Sequence, residues 1–176
     1  MSKKTLALVQ GAMIAALYAV LFYAQNILLP GSATMAVQFR MAELLCIFAL
    51  WTPAAIWGLA LGCVIANIAS IGSGLPLDMI FGTIATILAA TCIWLLRNVR
   101  IKDVPVLSLL MPAVFNGLII GWEIEAFFID GPFHFVSFLT QAGLVSLGEF
   151  VVVLVCGAPL AMLIEKKGFL EKMKLK

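Results

Sequence analysis

Val37-Gln38-Phe39-Arg40-Met41-Ala42-Glu43-Leu44 opens an apolar run that ends at Trp51. It sets an arginine and a glutamate three residues apart, and on a helix that spacing points both side chains into one space. The chain around them is suited to hydrocarbon. Of its 176 residues 64% are hydrophobic and 11% charged, and mean hydropathy is +1.14. An ordinary soluble domain is roughly 25% charged. The reading is an all-α, polytopic membrane protein, with residues 1–176 as a single integral membrane domain. A charge at the centre of a membrane helix costs roughly 2.5–3.5 kcal/mol on insertion scales and is by default a functional candidate.

Apolar runs predict six transmembrane helices over residues 5–29, 37–51, 53–71, 75–96, 105–128 and 133–165. The basic residues support that count. Lys3 and Lys4 precede the first run, Arg97, Arg100 and Lys102 cluster between the fourth and fifth, and Lys166, Lys167, Lys172, Lys174 and Lys176 form the tail. With six spans all three clusters fall on one side, which the positive-inside rule makes cytoplasmic, N- and C-termini included. With five they would conflict. The expected location is the cell membrane, multi-pass. The tail is expected along the inner surface.

Several functions are excluded or weakened. Cys46, Cys63, Cys92 and Cys156 lie singly inside apolar runs without metal-ligand spacing, so they read as small buried apolar residues and no metal or cofactor is expected. The first run is too long for a signal-peptide core and reads as a retained helix. Gly72-Ser73-Gly74 lacks the lysine of a phosphate-binding loop and reads as a turn. Glu43 and Glu149 could serve as acid and base, but no clustered metal motif or Ser–His signature accompanies them, so the chain is not expected to be an enzyme. No nucleic-acid partner is expected.

The intramembrane polar residues crowd toward the outer half. Gln38, Arg40 and Glu43 enter the second helix from outside. Asn67 closes the third and Asp78 opens the fourth. Asn116 and Glu123 share a face of the fifth, with Glu125 about half a turn away at the outer rim. His134 and Gln141 begin the sixth, with Glu149 deeper and Pro159 placed to kink its cytoplasmic end. A cation in a first helical turn opposes the macrodipole, so Arg40 calls for a partner carboxylate, a ligand, or a snorkel to the headgroups. Asp78 in a first turn is favoured by the dipole alone. A channel would carry polar groups through its whole thickness. One-sided polarity fits capture from outside by a binding subunit that needs partners to complete transport. The alternative is a small secondary carrier acting alone. On the first helix Gly11, Ala15 and Ala19, with Ala12 and Ala16 beside them, allow close backbone approach, either within the bundle or to a partner protein.

Val-Gln-Phe-Arg-Met-Ala-Glu (37–43), Thr-Pro-Ala-Ala-Ile-Trp-Gly-Leu (52–59), Leu-Gly-Cys-Val-Ile-Ala-Asn (61–67), Asp-Met-Ile-Phe-Gly-Thr-Ile-Ala-Thr (78–86), Asn-Gly-Leu-Ile-Ile-Gly-Trp-Glu (116–123) and Leu-Gly-Glu-Phe-Val-Val-Val (147–153) together resemble the QueT family over nearly the whole chain. The resemblance implies a substrate-binding S component of an energy-coupling factor (ECF) transporter. It also implies a transmembrane T component and two cytoplasmic ATPases as partners, with ATP hydrolysed there. The family is associated with uptake of queuosine precursors, 7-deazaguanine bases such as preQ1, preQ0 or queuine; another small molecule, a vitamin or tryptophan, is the alternative within this architecture. The small-residue pattern Gly11, Ala12, Ala15, Ala16 and Ala19 matches the stripe that meets the T component in related S components. S components are thought to topple in the membrane to release cargo inward. A guanine-like edge presents donors to a carboxylate and acceptors to Arg or an amide. The expected substrate-binding residues are Gln38, Arg40, Glu43, Asn67, Asp78, Phe81, Asn116, Glu123, Gln141 and Glu149, with Phe39, Phe115 and Trp122 also available for stacking.

Overall fold

The computed structural model describes residues 2–32, 37–68, 76–166 and 170. Helix α1 spans Lys3–Leu28, and its first turn is capped by Ser2, whose hydroxyl accepts from the Thr5 amide at 3.1 Å. At 1.5 Å per residue its 26 residues reach about 39 Å, more than a hydrocarbon core requires. Helix α2 (Ala54–Ile68) lies along it with backbones touching. A Cβ built on Gly58 would sit 2.7 Å from the Gly11 carbonyl oxygen, and one on Gly62 would sit 3.0 Å from that of Ala15. Small residues on both helices permit this approach. The stripe on α1 therefore splits: Gly11, Ala15 and Ala19 are buried inside the bundle, while Ala12 and Ala16 are exposed. A partner face over all five is not what this packing leaves open. Gly58→Val should lower thermal stability by about 1–3 kcal/mol through overpacking; a purified variant with an unchanged unfolding midpoint would show that α1 and α2 do not meet here.

The segment expected as a second α-helix over residues 37–51 differs. Val37–Arg40 is non-helical, and Met41–Leu50 is a 3₁₀ helix of ten residues. Runs of that geometry beyond three or four residues are uncommon. Its entry is held from outside the segment: the Gln25 side chain accepts from the Met41 amide at 2.8 Å and donates to the Phe39 carbonyl and to the Ser32 hydroxyl. Arg40 is thus the N-cap residue, just ahead of the first turn rather than within it. The 3₁₀ helix is central, touching α1, α2, α3 (Pro76–Leu96), α4 (Val106–Leu109), α7 (Gly157–Lys166) and the π-helical segment Phe150–Cys156. Ala42, Leu45, Cys46, Ile47, Ala49 and Leu50 from it join Tyr18, Leu59, Ile93 and Val153 in the core.

The expected fifth helix is two pieces, α4 and α5 (Met111–Phe127), with Pro112 in the first turn of the second. The expected sixth helix is α6 (Phe135–Glu149), the π-helical segment and α7 in succession. Pro159 has no N–H to offer the preceding turn, and the ladder is widened just before it. Four stretches, Lys3–Leu28, Leu77–Leu96, Val106–Phe127 and Phe135–Lys166, are long and apolar enough to cross a membrane; Met41–Leu50 and Ala54–Ile68 are shorter apolar helices. Leu8, Met13, Val20, Leu95, Val136 and Val155 point outward. Gly72-Ser73-Gly74 and most of the basic tail lie outside the described residues.

Contacts sort the element ends into two groups. Thr52 meets Gln10, Ser108 donates to the Leu96 carbonyl, and Arg100 pairs with Glu165. These join the start of α1, the end of the 3₁₀ helix, the α3–α4 connection and the end of α7 at one basic end. At the other end Asn67 of α2 donates to the Asp78 carbonyl of α3, and Glu125 of α5 accepts from the His134 amide and the Ser137 hydroxyl beneath the α5–α6 connection.

Candidate functional site

Arg40 is the hub of a buried polar cluster. Its Nη2 lies 2.6 Å from Asp78 Oδ2, and its side chain is 3% exposed. Arg40 and Glu43 do not form a pair on one helical face: Arg40 pairs with Asp78 of α3, and Glu43 bonds to other groups. Glu43 accepts from the Tyr18 hydroxyl at 2.5 Å, the Thr86 hydroxyl at 3.2 Å and the Cys46 thiol at 3.0 Å. These bonds tie the 3₁₀ helix to α1 and α3, so Glu43 is spent on the scaffold. Tyr18, Thr86 and Gln25 carried no sign in the sequence beyond being polar groups inside apolar helices.

Gly82 makes room for the cluster. A Cβ there would lie 3.3 Å from Arg40 Nη1, 3.5 Å from Asn67 Nδ2 and 3.7 Å from Asp78 Oδ1. Asn67 spends its amide nitrogen on the Asp78 carbonyl at 3.2 Å. From α6, Gly148 meets the backbone of Gln38, where a side chain would collide with main-chain atoms. This contact lays residues 37–40 across the helix that carries Glu149. On α5, Asn116 and Glu123 lie on the stripe that also buries Ala113, Gly117 and Ile120. The charges acting on Glu123 are those of Asp78 and Arg40; those acting on Glu149 are Glu43 and Arg40.

One property separates this cluster from a merely structural one. Nine buried side-chain nitrogen and oxygen atoms among the described residues have no hydrogen-bond partner, and all belong to Gln38, Arg40, Asn67, Asn116, Glu123 and Glu149. A buried polar atom without a partner costs about 1–3 kcal/mol, more when charged, and proteins rarely tolerate several together. Seven of the nine are acceptors, including both oxygens of Glu123 and of Glu149, and two are donors, Arg40 Nε and Asn116 Nδ2. Such a set suits a guest rich in N–H groups.

The profile of the QueT transporter family matches residues 8–166. The chain belongs to the QueT transporter family. As a QueT family member with four long apolar helices it is a multi-pass membrane protein and a transport protein. No curated protein and no solved structure matches the chain. The match covers all the polar residues of the cluster.

Other expected contacts fall elsewhere in this QueT family fold. Phe81 packs against Trp122 and Phe127, with ring centroids 5.5 and 5.9 Å apart, and with Ile84, Leu118, Ile119, Trp122 and Phe138 it lines an apolar groove. Phe39 and Trp122 are about 40% exposed, outside the buried cluster. Gln141 and Phe115 are half-buried. Glu125 is occupied as a cap on the start of α6.

Proposed function

We propose that the chain is the substrate-binding S component of an ECF-type importer and captures a queuosine precursor, a 7-deazaguanine base, from outside the cell. The observation that carries the reading is the acceptor-rich set of orphaned buried atoms on Gln38, Arg40, Asn67, Asn116, Glu123 and Glu149. A guanine-type edge brings an N–H and an exocyclic amine side by side, a match for one carboxylate, and its carbonyl oxygen suits a donor from Arg or an amide. That uses Arg40 and Asn116 as donors and one of Glu123 and Glu149 as acceptor. The other carboxylate then faces an aminomethyl cation on position 7, as in preQ1. Among the described residues five acidic side chains and one guanidinium are buried, an excess that a cationic guest would balance.

In this reading the six apolar segments are six spans, both termini lie in the cytoplasm, and the orphaned cluster opens toward the outer face. A T component and two cytoplasmic ATPases supply the energy. Any T-component contact on α1 uses the exposed Ala12 and Ala16 rather than the buried members of the stripe.

Calorimetry on the purified protein tests the ligand. The aminomethyl base should bind at least tenfold more tightly than the nitrile base preQ0, about 1.4 kcal/mol or more. Equal affinities would remove the carboxylate-to-ammonium contact. No measurable binding of any 7-deazaguanine would overturn the ligand class.

A further inference from the structure

At the basic end lies a cavity whose lining shares no residue with the polar cluster. It encloses about 390 Å³ and is lined by Leu50, Trp51, Trp94, Arg97, Asn98, Arg100, Glu165 and Leu170. That volume is within the range of small-molecule sites, roughly 300–1,000 Å³.

Its two arginines are fixed differently. Arg100 makes a two-pronged pair with Glu165, Nη1 to Oε2 at 2.8 Å and Nη2 to Oε1 at 2.7 Å, and the Trp51 indole donates to the same carboxylate at 3.0 Å. The Arg100 charge is therefore matched within the protein. Arg97 lies flat over Trp94, its guanidinium carbon 3.6 Å from the ring centroid, and donates from Nη1 to the Trp94 carbonyl. No carboxylate is paired with Arg97 among the described residues. Among the described lining residues the cavity thus holds two cations and one anion, a net charge of +1. Its guanidinium plane is held by the indole, and such a held plane is suited to binding phosphate oxygens. Asn98 adds an amide beside it.

The surroundings identify the guest as amphipathic. Leu50, the two tryptophans and Leu170 form apolar walls. Leu95, Val99 and Ile101 are 67%, 46% and 60% exposed along the same stretch of chain as Arg97 and Arg100. Aliphatic side chains facing outward beside basic ones, with tryptophans between, are the pattern of a helix end at the headgroup level of a bilayer. Basic pockets between helix ends at that level take anionic lipid headgroups.

We infer that this cavity seats the phosphodiester of an anionic phospholipid from the adjoining leaflet, held by Arg97 and Asn98, with its acyl chains along the exposed aliphatic surface. One phosphodiester carries one negative charge, the complement of the cavity.

Native mass spectrometry of the full chain, released from detergent with chain-matched phosphatidylglycerol or phosphatidylcholine, reads this directly. The wild type should retain phosphatidylglycerol in preference, and Arg97→Gln should reduce that retention by roughly five- to tenfold. Asn98→Asp is a second variant of nearly unchanged shape, useful should Arg97→Gln not fold; its added negative charge should also abolish the preference. Inorganic phosphate and glycerol phosphate at millimolar concentration should not displace the lipid. Equal retention of the two lipids by the wild type, or equal phosphatidylglycerol retention by wild type and a folded variant, would overturn the proposal. Displacement by inorganic phosphate would make this a site for a soluble phosphate instead. A photoreactive residue at position 98 that cross-links to a protein rather than to lipid in native membranes would assign the cavity to a partner subunit, and would equally overturn the lipid.

Discussion

Glu149→Gln is expected to weaken ligand binding by roughly 30-fold or more, the scale set by losing one partner of a buried charge pair at about 2–5 kcal/mol. The side chain is fully buried, and neither of its oxygens has a partner in the protein. Its hydrogen-bonding capacity is thus held for the guest. The ligand-free protein should respond in the opposite sense. Glutamine removes a buried carboxylate that has no partner, so the empty variant should be no less stable than wild type. That combination separates a binding residue from a scaffold residue. Glu125→Gln is the control, because Glu125 is used to cap α6; it should cost stability and leave affinity within about threefold, the effect of a displaced contact rather than a lost one. Calorimetry with the aminomethyl base and thermal unfolding without it provide both readouts. Equal losses of affinity for Glu149→Gln and Glu125→Gln would end the assignment.

Breaking the Arg40–Asp78 pair should have the largest effect on stability. Arg40→Met strands the Asp78 carboxylate in a buried site, which costs about 3–5 kcal/mol. Asp78→Leu strands the guanidinium and should cost a similar amount. The double variant Arg40→Met/Asp78→Leu removes both charges, and an ion pair replaced by apolar groups of similar size is often neutral for stability. Most of the lost stability should therefore return. Ligand binding should not, because Arg40 is the cation common to Glu123 and Glu149, and its Nε is one of two donors left for a guest. Thermal unfolding of the four proteins gives the coupling directly. Additive losses would show that the pair is not formed in the membrane-embedded protein.

The candidate site was readable as a set of residues and unreadable as a set of bonds. Carboxylates and amides inside apolar runs are so costly that each signals a partner. Gln38, Arg40, Asn67, Asn116, Glu123 and Glu149 stand out on that ground, and Glu43 and Asp78 stand out with equal force. The acids that support the scaffold and those left open look alike in the sequence. Spacing was misleading at residues 40 and 43, because the i, i+3 rule assumes a helix that begins before Arg40. The 3₁₀ geometry of Met41-Ala42-Glu43-Leu44-Leu45-Cys46-Ile47-Phe48-Ala49-Leu50 left no periodic trace: a run this apolar, ten residues long, gives periods of 3.0 and 3.6 nothing to distinguish them. The stripe on α1 was visible as a close-contact surface, and only the position of α2 shows which half of it is used.

Composition alone made this a membrane-embedded helical chain, because 64% apolar residues leave too little polar surface to face water. The order of its motifs carried the family likeness. What required the folded chain was the division of labour among the acids. Glu43 is satisfied by residues 25 positions before it and 43 after it, and Arg40 pairs with one 38 positions on. No local pattern encodes such pairings, since they exist only once distant helices have packed. The same packing leaves Glu123 and Glu149 buried with nothing to bind, and a buried carboxylate with nothing to bind is where a guest has most to contribute.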